Sequence, residues 1–215
     1  PFPPKEVKQV FFYCAGCGTD KNVLWLKEKL GLHFPNAEVE IKSDLVAAAI
    51  ACLGNNSGLV AILGTGSNLA FYDGQKLIQK TPSLGYILGD EGSGSYMGKL
   101  FLSAYLKGSF DQEFCSKVKI DLQEVIQKVY QEKMPNRYLA SFAKLMFRQR
   151  HHPQVAAIIQ KCFSDWFEKE VLPYSVKEIS LVGSIAYYFN TELRQAATRF
   201  DISVLNIIES PISAL

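Results

Sequence analysis

The chain has 215 residues, enough for a sizeable core and one or two domains. With 48% apolar residues, 20% charged residues and a net charge of +2, it has neither the basic surplus of a nucleic-acid binder nor an apolar run long enough to span a bilayer. No charged-then-apolar signal segment opens it, and five cysteines at irregular spacing are unlike a secreted disulfide framework. Reduced structural thiols and a cytoplasmic location are therefore expected, including for the C-x-x-C pair Cys14 and Cys17.

The opening Pro1-Phe2-Pro3-Pro4 is not a natural start, so the chain reads as cut from something longer. Residues 10–14 read as a buried strand that ends in a glycine turn at 16–18, and such turns at strand carboxyl ends are where open α/β sheets collect ligands. Residues 20–32 follow as a helix with Asp20 at its start and Gly31 as a C-cap, and 37–41 as a short strand. Ser43 is a natural N-cap for a small-residue helix over 45–53, and capping is also the plain structural role of Asp44 beside it.

From residue 58 onward strands are predicted at 59–63, 68–72 and 76–80 as an antiparallel meander, with Asp73-Gly74 suited to a two-residue hairpin. Between the first two lies Gly64-Thr65-Gly66-Ser67, whose glycines let backbone N–H groups approach an anion while the hydroxyls add donors. Residues 83–96 then place four glycines around Asp90 and Glu91. These carboxylates suit either the hydroxyls of a polyol or the first turn of a helix expected over 90–107.

Helices are predicted at 121–132 and 138–150, then a long amphipathic one from Pro153 to about residue 172, with Val155, Ile159, Cys162, Phe163 and Trp166 on its apolar stripe. A buried strand at 178–182 breaks at Gly183-Ser184, and a helix over 186–199 and a strand at 202–206 complete the chain. A meander followed by alternating strands and helices defines an α/β class with a mixed sheet.

Three motifs in this order, Gly64-Thr65-Gly66-Ser67-Asn68, Gly89-Asp90-Glu91-Gly92-Ser93 and Leu181-Val182-Gly183-Ser184, resemble the N-acetylglucosamine kinase branch of the BadF/BadG-type ATPases, in the actin/hexokinase superfamily. The resemblance covers residues 10–210. It implies an actin-like, ribonuclease H-like two-domain fold, with residues 1–57 as the remainder of an N-terminal lobe and 58–215 as a C-terminal ATPase lobe. It implies ATP and Mg²⁺ as cofactors, an amino sugar as substrate and a homodimer, with no nucleic-acid or membrane partner.

By the same resemblance Gly64, Thr65, Gly66 and Ser67 would cradle phosphate, with Thr65 and Gly66 also near the sugar. Gly183 and Ser184 would form the adenosine-side turn, Gly85 and Asp90 would contact the sugar, and Asp44 would be the catalytic base. No metal ligand is assigned, because nothing before Val10 matches the family's first phosphate hairpin with its magnesium-organising Asp. A catalytically crippled fragment is the resulting expectation. Two other readings stand beside the kinase: an ATPase that activates a dehydratase or reductase through an iron–sulfur cluster, and a non-catalytic sugar sensor.

Overall fold

A computed structural model describes residues 3–17 and 20–214, for 213 and 214 the backbone alone; Pro1, Phe2 and Gly18 of the first glycine turn lie outside the described residues. Near the N-terminus, β1 (Gln9–Cys14) and β2 (Glu38–Ser43) pair in parallel, from Gln9 opposite Glu38 to Cys14 opposite Ser43, with α1 (Asp20–His33) as the crossover. Gly31 is not the expected C-cap. Its φ is not left-handed, and the helix runs on until Phe34 N–H bonds the Leu30 carbonyl at 2.8 Å.

Ser43 caps α2 (Asp44–Leu53) as predicted, its hydroxyl accepting from Leu45 N–H at 3.2 Å. Small side chains at Ala48 and Ala49 let this helix lie close against a larger sheet, where they and Leu45 form a core with Val60, Ala70, Tyr72 and Val182. So α2, on the N-terminal side of the boundary expected at 58, packs on the sheet beyond that boundary.

That sheet has, among the described residues, five strands in the order β5-β4-β3-β6-β7: β3 (Gly58–Leu63), β4 (Ser67–Tyr72), β5 (Leu77–Ile78), β6 (Glu178–Val182) and β7 (Ser203–Ile208). β3, β4 and β5 form the predicted antiparallel meander, while β3–β6 and β6–β7 are parallel, so the sheet is mixed. The central strands β3 and β6 are covered on both faces, which is why each is a near-continuous apolar run. The β4–β5 connection takes four residues, 73–76, rather than two. Asp73 Oδ1 accepts from both Gln75 and Lys76 N–H, and of the dipeptide only Gly74 has a positive φ.

The other face carries the larger core, built from α4 (Gly94–Leu106), α7 (Pro135–Arg148) and α8 (Pro153–Trp166), preceded by the short α3 (Gly85–Leu88). Short α5 (Gln112–Lys117), which the sequence pattern did not suggest, and α6 (Leu122–Tyr130) connect α4 to α7. The apolar stripe of α8 is buried as predicted, but the helix continues as a π turn (Phe167–Val171) and a 3-10 turn (Leu172–Tyr174). Pro173 cannot donate the next helical hydrogen bond, and the widened turn buries Phe167 and Val171. The predicted helix over 186–199 is divided into α9 (Ser184–Tyr188) and α10 (Asn190–Thr198) at buried Phe189.

The helix expected from Asp90 begins at Gly94 instead. Asp90 (φ 56°) and Gly92 (φ 76°) are left-handed and cannot open a helix, and Ser93 supplies the cap by accepting from Tyr96 N–H. The plain reading of Asp90 and Glu91 as first-turn residues is thereby removed.

A second correction concerns Cys14 and Cys17, which form a disulfide across the left-handed turn at Gly16, with Cα atoms 6.1 Å apart. Cys52, Cys115 and Cys162 are free as expected. For the first pair, the step from reduced thiols to the cytoplasm does not hold. No helix among the described residues is long and apolar enough to cross a membrane.

Candidate functional site

The hairpin Gly64-Thr65-Gly66 joins β3 to β4, and its tip is closed by Gly64 N–H donating to the Gly66 carbonyl at 3.0 Å. The first turn of α4 fixes it from behind: Gly94 N–H bonds the Gly64 carbonyl at 2.8 Å and Ser95 N–H bonds the Thr65 carbonyl at 3.0 Å. In front, the space where a Cβ on Gly64 would stand is open.

This open face borders a cavity of about 360 Å³. Gly64, Thr65 and Ser184 form its polar end, and Phe147, Ile185 and Tyr188 are among its apolar walls. Lys144 and Arg148, one turn apart on α7, stand at its exposed rim. Neither side chain makes a hydrogen bond or ion pair with another described residue. The volume lies within the range of small-molecule pockets, and the combination suits a flat apolar group with an anionic end. Both cations fall on the helix predicted over 138–150. The Lys144–Arg148 spacing was the available signal, and it acquires meaning only once α9 supplies the opposite wall.

Gly183 lies at the end of β6 with φ 115°, where a Cβ would stand 2.4 Å from the Leu63 carbonyl oxygen. Only glycine allows β6 to turn into α9 this close to β3, and that closeness puts Ser184 beside Gly64.

Asp90 stands at the β4 end of the hairpin, against Gly66 and Ser67. Its Oδ1 accepts from Ser67 N–H at 3.3 Å, and its Oδ2 would lie 2.9 Å from a Cβ on Gly66. Burial raises its carboxyl above the usual range, and Glu91 adds to this, while the Ser67 N–H and Lys99 oppose it. Glu91 is buried and paired to Lys169 at 2.9 Å. Gly92 lies against the Trp166 ring, where a Cβ would come within 2.7 Å of Cγ. Trp166, Lys169 and Glu170 thus surround the Asp90 loop from the α8 end and its π turn; the sequence pattern placed only Trp166, and only as core.

Asp44 opens α2. Leu45 N–H at 2.9 Å and the Ser43 hydroxyl at 3.2 Å both bond its Oδ1, leaving Oδ2 without a hydrogen bond among the described residues. Asp44 lines neither the 360 Å³ cavity nor the small cleft at Asp90. Gly85 has φ 72° and open space at its Cβ position, next to the cleft-lining Ser83 and Leu84. Of the predicted residues, then, Gly64, Thr65 and Ser184 meet at one cavity, Gly66 and Ser67 meet Asp90, and Asp44 and Gly85 stand outside both groups. Among the described residues no group of three or more His, Cys, Asp or Glu side chains converges on a metal site.

The mixed sheet flanked by helices, with a glycine hairpin facing a cavity, is the actin-like fold of the sugar kinases. A protein from Porphyromonas gingivalis, assigned by inference as an N-acetylglucosamine kinase, is 32% identical, with a TM-score of 0.91 over 96% of this chain and 75% of its own. The chain belongs to the family of that protein. A similarly assigned protein from Chromobacterium violaceum is 20% identical at a TM-score of 0.60 over 86% and 68% of the two chains, a likeness of fold. The ethanolamine utilization protein EutJ from Carboxydothermus hydrogenoformans shares the fold at 17% identity and a TM-score of 0.52, over 97% of this chain and 64% of its own. No protein-family model matches the chain, and no curated protein matches it significantly.

Proposed function

We propose that the protein is an ATP-dependent amino-sugar kinase of the BadF/BadG type, transferring the γ-phosphate of ATP to the 6-hydroxyl of N-acetylglucosamine or a related hexosamine. The observation that carries this reading is the two-sided hairpin. Its Gly64-Thr65 half lines a 360 Å³ cavity with two cations unpaired among the described residues, and its Gly66-Ser67 half holds the Asp90 carboxylate. A donor nucleotide and an acceptor polyol can therefore meet across a single turn. Membership of the P. gingivalis protein's family supports the same class.

The chain's own residues divide the work. Phe147, Ile185 and Tyr188 offer apolar walls to a base, Lys144 and Arg148 offer charge to phosphates, and the open backbone at Gly64 with the Thr65 and Ser184 hydroxyls offers donors. Asp90 accepts sugar hydroxyls. Asp44 lines neither group of residues; with Oδ1 tied by Leu45 and Ser43, it is assigned through Oδ2, on the family resemblance, to the 6-hydroxyl. As that oxygen attacks the γ-phosphorus, Asp44 takes its proton, the bond to the β,γ-bridging oxygen breaks, and ADP leaves; a general base of this kind contributes about 10²–10⁴-fold. The described residues offer no carboxylate cluster for magnesium, and no step is assigned to it.

Product analysis tests the reading. Incubation of the full-length protein with ATP and N-acetylglucosamine, followed by phosphorus NMR, is expected to show a phosphomonoester coupled to the two C6 protons. A phosphate on another oxygen, or inorganic phosphate alone, would contradict it.

A further inference from the structure

Beside Asp90 lies a cleft bordered by Ser67, Asn68, Thr81, Trp166 and Glu170, with room of about 10 Å³, the size of one water-sized group. Two residues lining it carry a buried polar atom with no hydrogen-bond partner among the described residues: Trp166 at Nε1, on a side chain with no exposure, and Thr81 at Oγ1. A buried N–H left unsatisfied is costly, and a native site keeps one when a ligand or water completes it. Two carboxylate residues, Asp90 and Glu170, line the same cleft. The cation next in sequence to Glu170, Lys169, is engaged by Glu91.

We propose that Trp166, Thr81 and Glu170 form a specificity subsite for one hydroxyl group of the acceptor sugar, next to Asp90. The inference rests on the sugar-kinase reading and deepens it. An indole N–H can only donate and a carboxylate can only accept. The group between them must therefore accept and donate at once, as a hydroxyl does. An ammonium group would satisfy the carboxylates but leave Trp166 Nε1–H unpaired, and a carbonyl oxygen would do the reverse. Burial raises both carboxyls, with Asp90 and Glu91 adding to the rise at Glu170. The Thr81 hydroxyl opposes that rise, although its geometry falls short of a hydrogen bond. A hydroxyl donating to these carboxylates relieves them. Trp166 also lies against Gly92, so the subsite and the Asp90 loop share one rigid wall.

The test is calorimetric binding of N-acetylglucosamine and its monodeoxy analogues to wild type, Glu170→Gln and Trp166→Phe, each variant checked by thermal melting. Wild type is expected to bind one deoxy analogue at least ~10-fold more weakly than the parent sugar, the loss of one hydrogen bond to a charged group. In both variants that difference should shrink to less than about 3-fold, because the parent weakens and the analogue does not. If Trp166→Phe does not fold, Glu170→Gln alone carries the comparison. Variants that keep the wild-type discrimination, or a wild type that ranks all analogues equally, would overturn the subsite and leave a cleft for water. A wild type that binds no amino sugar would overturn the kinase reading itself and the subsite with it.

Discussion

Gly64→Ala separates the glycine's role in folding from its role in ligand binding. The added methyl meets nothing within 4 Å, Gly64 does not have a left-handed φ, and both its hydrogen bonds, to Gly66 and from Gly94, use backbone atoms that the substitution keeps. Folding stability should therefore change by no more than about 0.5–1 kcal/mol, and toward greater stability, since alanine restricts the unfolded chain. Gly64 lines the 360 Å³ cavity, and the site of the added methyl is open space. There it holds a phosphate away from the turn, removing one charge-assisted hydrogen bond of about 1.5–3 kcal/mol. Nucleotide affinity is expected to fall roughly 10- to 150-fold. Thermal melting and calorimetric titration with a non-hydrolysable ATP analogue measure the two effects on the same sample. Wild-type affinity in a well-folded Gly64→Ala protein would refute the assignment of the cavity to nucleotide.

Gly183→Ala makes the opposite case: a φ of 115° and a Cβ 2.4 Å from the Leu63 carbonyl oxygen demand a backbone shift at the sheet centre. A loss of at least ~3 kcal/mol is expected, on the order of 10 °C in melting temperature, and a change below 1 kcal/mol would contradict this geometry. For Asp90→Asn the sign follows from the raised carboxyl. An acid whose folded-state pKa exceeds its unfolded value of about 3.9 costs stability as pH climbs from that value through the folded one, and the cost persists above. The asparagine variant, which tolerates the left-handed φ of 56°, should gain stability over wild type at pH 7 and lose that gain below about pH 4. Urea denaturation at both pH values checks it, and a pH-independent difference would remove burial as the cause. Lys144→Ala with Arg148→Ala should weaken nucleotide binding and flatten its salt dependence, because neither cation has a partner to lose among the described residues. A titration series from low to high salt that matched wild type would place the phosphates elsewhere.

Much of the fold was legible because its signals are local. The Ser43 cap, the apolar runs of β3 and β6 and the stripe on α8 are set by hydrogen-bonding reach and by periods of two and 3.6 residues. The Asp90 loop was not legible as a loop. Two adjacent carboxylates before a helical pattern look like a first turn, and what holds Asp90 left-handed is the Ser67 N–H and, beneath Gly92, the Trp166 ring, 23 and 74 residues away from their partners along the chain. Trp166 itself obeyed the helical period, so its second role at the cleft was hidden behind a correct core assignment. Lys144 and Arg148 carried the spacing of a cationic pair, yet a pair on one helix face is ordinary until another element closes a cavity over it. The C-x-x-C bond depends on the conformation of the turn at Gly16, which spacing alone does not specify.

The measurement that bears most directly on the whole account is ADP release by the full-length protein, with and without N-acetylglucosamine, for wild type and Asp44→Ala. The account predicts release that depends on the sugar and is lost in Asp44→Ala while sugar binding persists. Release at the same rate without sugar, or undiminished in Asp44→Ala, would contradict it.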